Sequence, residues 1–216
     1  MRLKSFIFRR LKLKVYFCKK ESKMFKLKLP TDPRWARIAE SNIEEVLSDH
    51  AWCEQKAVTN CITLITMLPE HTHIVTELIK IAQEEMEHFE QVHELIKANG
   101  WILGRERKDH YVNELYKFMQ KGGSRQMHLV ERLLFSAMIE ARSCERFKVL
   151  SDTIEDQEMA KFYRDLMISE ANHYTVFLGF ANEIGEGLDV KKRWEEWLAY
   201  EAEVIKSYGN SEAIHG

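Results

Sequence analysis

The chain has 216 residues, 45% hydrophobic and 31% charged, with only three prolines and nine glycines; that is enough for one good-sized core of long helices. No stretch approaches the roughly 18 uninterrupted apolar residues of a membrane span, and four cysteines without metal-like spacing argue for a reducing compartment rather than a disulfide scaffold. The formal net charge of −2 conceals a split: residues 1–23 carry nine Lys/Arg and one acid, while residues 24–216 carry 23 Lys/Arg and 33 acids.

Residues 1–23 read as a basic, disordered or upstream-translated extension, with Met24 as the natural start of the folded body. A membrane-surface arm, a nucleic-acid arm or a targeting peptide are the functional alternatives. Asp32-Pro33 signals a helix start, and an amphipathic stretch with one break runs to about Met67, where Pro69 ends it. Its apolar stripe, Ile43, Leu47, Ala51, Ala57, Val58, Cys61 and Ile65, carries Glu54 in its middle, with His50 one turn earlier. A second helix covers about His71 to Asn99 and stops at Gly100; Glu85 and His88 lie among Leu78, Ile81, Ala82, Phe89, Val92 and Ile96. Trp101 to Asp109 is a basic loop, Tyr111 to Gln120 a shorter helix, and Gly122-Gly123 a break. The third long helix, about Ser124 to Thr153, sets Glu140 beside Leu129, Leu133, Ala137, Cys144 and Phe147. The fourth, Glu155 to Ile184, sets Glu170 and His173 beside Tyr163, Leu166, Met167, Tyr174, Phe177 and Ala181. A last helix, rich in Trp and Glu, spans about Val190 to Tyr208.

Residues three apart share a helix face, so each Glu-x-x-His pair aims a carboxylate and an imidazole at one point. With 27 Glu and 9 His, chance supplies about one such pair, and the chain carries five. Glu70–His73 follows Pro69 in a turn, Glu212–His215 ends the chain, and Glu90 lies roughly 140° around its helix from Glu85. That leaves Glu85–His88 and Glu170–His173. Each follows a core-facing glutamate by a similar interval, Glu54 by 31 residues and Glu140 by 30. A buried charge is costly unless paired or metal-bound. The spacing therefore predicts an all-α, ferritin-like four-helix bundle with extra helices, built from two hairpins joined by a crossover. Its six metal ligands are Glu54, Glu85, His88, Glu140, Glu170 and His173, with Glu54 and Glu140 expected to bridge. Glu145 competes with Glu140, but Arg142, Lys148 and Asp152 on its face read as solvated.

Four carboxylates and two imidazoles form a hard ligand set that suits iron or manganese, iron above all. Such a centre activates dioxygen, disposes of peroxide or superoxide, or oxidises iron for storage, and spacing does not choose among these. Small residues beside the ligands, Ala51, Ala57, Ser136, Ala137, Ser143 and Cys144, leave room for an organic substrate. His50 is placed to support Glu54 or line an entry. Tyr163 and Tyr174 share the Glu170 face and could donate hydrogen bonds or carry a radical, although such tyrosines are more often core residues.

Four strings make the comparison specific: Asp49-His50-Ala51-Trp52-Cys53-Glu54-Gln55-Lys56-Ala57, Glu84-Glu85-Met86-Glu87-His88-Phe89, Ile139-Glu140-Ala141-Arg142-Ser143-Cys144-Glu145-Arg146-Phe147 and Glu170-Ala171-Asn172-His173-Tyr174. Together they resemble the bacterial tRNA hydroxylase family that acts on 2-methylthio-N6-isopentenyladenosine, over nearly all of residues 24–210. The resemblance implies a cytoplasmic, non-haem diiron monooxygenase with two iron ions at the six ligands. It would hydroxylate the isopentenyl side chain of the adenosine beside the anticodon, using O₂ and electrons from an external donor such as a ferredoxin or flavin reductase. The different-class alternative is a ferritin-like iron-binding or peroxide-detoxifying protein with no RNA substrate. tRNA is the expected partner, with no membrane, and a monomer is expected because no long exposed heptad pattern appears.

The acidic body is not a typical tRNA surface, since phosphate contacts supply much of such affinity. Basic residues cluster at Arg105, Arg107 and Lys108, at Lys121 and Arg125, and at Lys191, Lys192 and Arg193. If these loops meet at the mouth of the bundle they hold the anticodon stem, with Trp101, Tyr111 and Trp194 available to stack on bases; each cluster reads equally as a solvated loop, and the three aromatics equally as packing residues.

Overall fold

The computed structural model describes residues 24–207 and Ile214; the basic segment 1–23 lies outside the described residues. After a short 3₁₀ turn at Met24–Lys26, seven helices follow: α1 (Arg34–Ser41), α2 (Ile43–Met67), α3 (Thr72–Ala98), α4 (His110–Phe118), α5 (Arg125–Thr153), α6 (Gln157–Ile184) and α7 (Val190–Ser207). The described residues contain no strand. The expected break in the first amphipathic stretch falls at Asn42, whose side chain bonds back to the Ile38 carbonyl.

Helix starts follow local chemistry. Asp109 accepts from the Val112 amide, Ser124 from Met127, and Asp156 from Glu158 and Met159, so each satisfies amides that a first turn leaves unpaired. Asp156 moves the α6 start two residues beyond the expected Glu155. At the other ends, Gly100 follows α3 with a φ of 75° that L side chains resist.

Long helices α2, α3, α5 and α6 form the bundle. α2 packs chiefly on α3 and α5 chiefly on α6, while the two hairpins meet across thinner seams. Asn60 bonds to Ser136 and Arg125 reaches the Met67 carbonyl, so α2 and α5 are antiparallel. His73 pairs with Glu183 and Glu84 with His173, which makes α3 and α6 antiparallel as well. Segment 99–124 must then run the length of the bundle. Its start is pinned near the beginning of α2, where Trp52 donates to the Gly104 carbonyl and the Gly104 amide donates to Ser48. It ends where Arg125 meets Glu70 at the far end of α2. This is the long crossover of a ferritin-like bundle.

Around the bundle, α4, α7 and residues 25–31 cover α5. Leu27, Tyr111, Leu115, Trp194, Trp197 and Leu198 join the main apolar cluster. A second cluster gathers Trp35, Ala36 and Ala39 of α1 against Phe147, Leu150 and Tyr163, with Ile214 packed beside them. The structure corrects two expectations here. Tyr111 and Trp194 are core residues, 1% and 5% exposed, and are not free to stack on bases. The Glu145 face is solvated only in part: Lys148 and Asp152 pair at the surface, but Arg142 and Glu145 are buried. Arg142 is fully buried and donates to Glu201, Glu145, Thr31 and the Leu29 carbonyl, while Thr31 donates to both Glu145 oxygens. Tyr111 completes the group through Glu201.

Removing one partner of a buried pair strands the other charge, at a cost of about 3–5 kcal/mol. Arg142→Ala is therefore expected to lower stability by about that amount in chemical denaturation, with the loss concentrated in the docking of residues 25–31 and α7. Unchanged denaturation would disprove that role.

Candidate metal centre

All six predicted ligands come together. Glu54 of α2, Glu85 and His88 of α3, Glu140 of α5, and Glu170 and His173 of α6 each sit near mid-helix, on the face turned into the bundle. Glu85 is completely buried, and His88, the most exposed of the six, is 7% exposed. Their donor atoms fall into two groups, Glu54–Glu85–His88–Glu170 and Glu85–Glu140–Glu170–His173, each with atoms within 4.8 Å of one another. Glu145 belongs to neither, because both its oxygens are committed to Thr31 and Arg142.

Glu85 and Glu170 occur in both groups, whereas Glu54 and Glu140 occur in one each. The carboxylates common to both groups are therefore those of the Glu-x-x-His pairs, whereas the sequence spacing suggests Glu54 and Glu140.

The donor set fits metal ions. His173 Nδ1 lies 2.9 Å from Glu85 Oε1, yet neither atom makes a hydrogen bond, and Glu170 Oε1 is also unpartnered. Buried polar atoms are normally satisfied; crowded acceptors turned toward a common third atom are what a cation requires. Without one, protons relieve the crowding. Burial, reinforced by Glu170 and Glu85, pushes the Glu140 carboxyl well above its usual range. Burial and then Glu54 raise Glu85 as well. Burial alone would lower His88, but Glu54 and Glu85 push it up to about 10. His173 is likewise raised, by Glu170, Glu84 and Glu85 against burial. Glu54 moves the other way: burial opposes ionisation, but His50 and His88 hold it at about 2.

Two further residues orient ligands. His50 Nε2 is 2.6 Å from Glu54 Oε1, so Oε2 remains for the centre, and His88 Nδ1 lies 3.8 Å from that oxygen. His50 is fully buried against Phe147, Phe162 and Tyr163. Glu84, half-exposed, bonds His173 Nε2 at 3.0 Å, which leaves Nδ1 turned inward. His50 was legible as a neighbour of Glu54; Glu84 was not singled out, although a carboxylate next to a ligand-bearing turn is a pattern that supports metal-bound imidazoles. Tyr163 lies fully buried with an unpartnered hydroxyl, and Tyr174 packs half-buried on Phe25 and Trp194. Cys53, Cys61 and Cys144 are free thiols, and burial raises all three above the usual thiol range.

The expected basic clusters do not meet. Arg105, Arg107 and Lys108 lie toward the start of α2, where Arg107 pairs with Glu45. Lys121, Arg125 and Lys191–Arg193 lie at the other end, where Arg125 pairs with Glu70 and Arg193 with Glu131 and Glu196.

An antiparallel bundle with a long crossover and two carboxylate-imidazole groups sharing two glutamates defines a ferritin-like protein with a metal-binding core. Comparison with known proteins places it more closely. Residues 19–216 match the family described as tRNA-(MS[2]IO[6]A)-hydroxylase (MiaE), and the chain belongs to that family. A tRNA 2-(methylsulfanyl)-N(6)-isopentenyladenosine(37) hydroxylase of Pseudomonas putida is 35% identical over 178 residues, 82% of this chain and 85% of the relative. Its namesake in Salmonella typhimurium is 30% identical over 139 residues, 64% of this chain and half of the relative's length. Among solved structures, "Protein 43 with aldehyde deformylating oxygenase activity from Synechococcus" superposes with a TM-score of 0.81 at 29% identity, covering 88% of this chain and 95% of that one. No helix among the described residues is long and apolar enough to cross a membrane.

Two outcomes follow. Metal binding must displace the protons held by His88 and Glu140, so affinity is expected to rise with pH. Anaerobic Fe(II) titration should show tighter binding at about pH 8 than at about pH 6, with proton release in calorimetry; pH-independent affinity would contradict this. His50→Ala removes the donor that fixes Glu54 and should weaken metal binding about 10–100-fold while helicity is retained.

Proposed function

We propose that this protein is a non-haem diiron monooxygenase that hydroxylates the isopentenyl side chain of 2-methylthio-N6-isopentenyladenosine in tRNA, beside the anticodon. The observation that carries this reading is the coincidence of the family match over residues 19–216 with a core that gathers all six ligand side chains. The names of the relatives, hydroxylases of this nucleoside and an oxygenase, support dioxygen as the oxidant. In this reading the substrate C–H and O₂, with two electrons and two protons, become an alcohol and water. On the same reading the protein works as a monomer in the cytoplasm and takes its electrons from an external donor such as a ferredoxin or flavin reductase.

Glu54, Glu85, His88, Glu140, Glu170 and His173 would hold the two iron ions, Glu85 and Glu170 being the carboxylates common to both donor groups. Bound iron supplies redox chemistry that activates O₂ toward an unactivated C–H bond. The protein supplies the rest. His50 restricts Glu54 to one free oxygen, and Glu84 fixes the His173 tautomer. Phe147, Phe162 and Tyr163 wall off the His50 side and keep water from the reacting centre.

The test is mass spectrometry of nucleosides from hypomodified tRNA incubated with the iron-loaded protein, O₂ and a reductant. The isopentenylated adenosine should gain one oxygen, and Glu140→Ala should lower that yield by more than about 100-fold, since loss of even an indirect metal partner costs 10–100-fold. Peroxide or iron turnover without RNA oxidation would instead favour the iron-handling alternative.

A further inference from the structure

Arg132 of α5 is a half-buried arginine without a carboxylate partner among the described residues. It lies on the flank between α2 and α5, and its Nε is buried without a hydrogen-bond partner. The buried Arg142 and the half-buried Arg193 are matched by carboxylates. Among the described residues, no carboxylate lies within ion-pairing distance of Arg132 and its guanidinium has one hydrogen-bond partner, Asn60, 3.2 Å from Nη2; Asn60 in turn donates to Ser136 at 2.8 Å. Beside it the guanidinium faces the Phe135 ring, and Phe135 meets Tyr116 edge-on at 6.1 Å. Tyr116 is 52% exposed, so α4 presents an aromatic face next to an unneutralised cation.

The flank leads inward. Arg132, Ser136 and Glu140 are spaced four apart, one stripe of α5 about 12 Å long that runs from solvent to the metal centre. Burial depresses the Arg132 pKa, opposed by the nearby Tyr116 hydroxyl and by no carboxylate; an anion arriving there would supply what the fold withholds.

We infer that this flank receives the RNA: Arg132 binds a phosphodiester oxygen near the modified adenosine, Tyr116 stacks on an adjacent base, and the isopentenyl chain extends along Ser136 toward Glu140. This rests on the proposed function. An arginine beside an exposed aromatic is the pairing that holds unstacked single strands, such as an anticodon loop. It also resolves the poor fit of an acidic body to tRNA, since the site needs one cation that is not already neutralised rather than a basic surface.

The test is fluorescence anisotropy of an anticodon stem–loop RNA carrying the isopentenylated adenosine, titrated with the full-length, iron-loaded protein at several salt concentrations. Arg132→Gln should weaken binding about tenfold and lower the salt slope by about one. Arg132→Lys should restore the slope, and Tyr116→Ala should weaken binding about tenfold where Tyr116→Phe does not. Arg37→Gln, on an exposed turn of α1 at the opposite end of α5, serves as the control and should bind as wild type. Wild-type affinity and slope in a folded, iron-loaded Arg132→Gln protein would overturn the inference while leaving the hydroxylase reading intact. Failure of the wild type to bind or oxidise the RNA would overturn the proposed function itself. Loss of folding in Arg132→Gln would pass the decision to Tyr116→Ala, where unchanged binding again refutes the inference.

Discussion

Four carboxylates in one apolar core cannot all be ionised unless positive charge joins them. That constraint governs the centre of this protein. Glu54, Glu85, Glu140 and Glu170 approach one another because four amphipathic helices bury the faces that carry them. Apolar burial drives the approach, and the resulting repulsion is met by His88 and His173, by protons, or by metal ions. Hydrophobic packing therefore does the work of assembling a metal site and holds it in the geometry where a dication is the best available neutraliser.

The same rule operates a few turns away with a different solution. Arg142 meets Glu145 and Glu201 at the junction of α5, α7 and residues 25–31. There the cation is covalent and permanent, so the cluster fastens the outer layer to the bundle. Two acidic clusters on one helix thus diverge in purpose according to whether a guanidinium is within reach. That distinction, more than sequence spacing, separates Glu140 from Glu145.

The bundle, its crossover and the gathering of the six carboxylate and imidazole side chains were legible in the sequence, because Glu-x-x-His pairs at mid-helix and apolar stripes are local patterns. What escaped depended on distance. The polar run of Arg142, Glu145 and Lys148 has the look of a solvent face, and the return of α7 and residues 25–31 buries Arg142 and Glu145 while Lys148 stays part-exposed. Which glutamates are shared is set by the offset between helices, so Glu54 and Glu140 were assigned a role that falls to Glu85 and Glu170. The basic loops were readable as loops, but the crossover carries one to each end of the bundle, and most of their arginines already have acidic partners. Glu84 was hidden in a different way, as one glutamate among many on α3, distinguished only by the histidine opposite.

From Leu129 to Phe147 every residue of α5 is buried except Arg132 and Ile139, which are half-buried. A helix enclosed on all sides has no face on which neutral change can accumulate. Each turn answers at once to the buried acidic centre, to a neighbouring helix and to the covering layer, so substitution is tolerated more readily on the outer faces of α2, α3 and α6, which meet water. Redesign of the catalytic pocket is accordingly best attempted from the α2 side of the seam, where a substitution has fewer neighbours to satisfy.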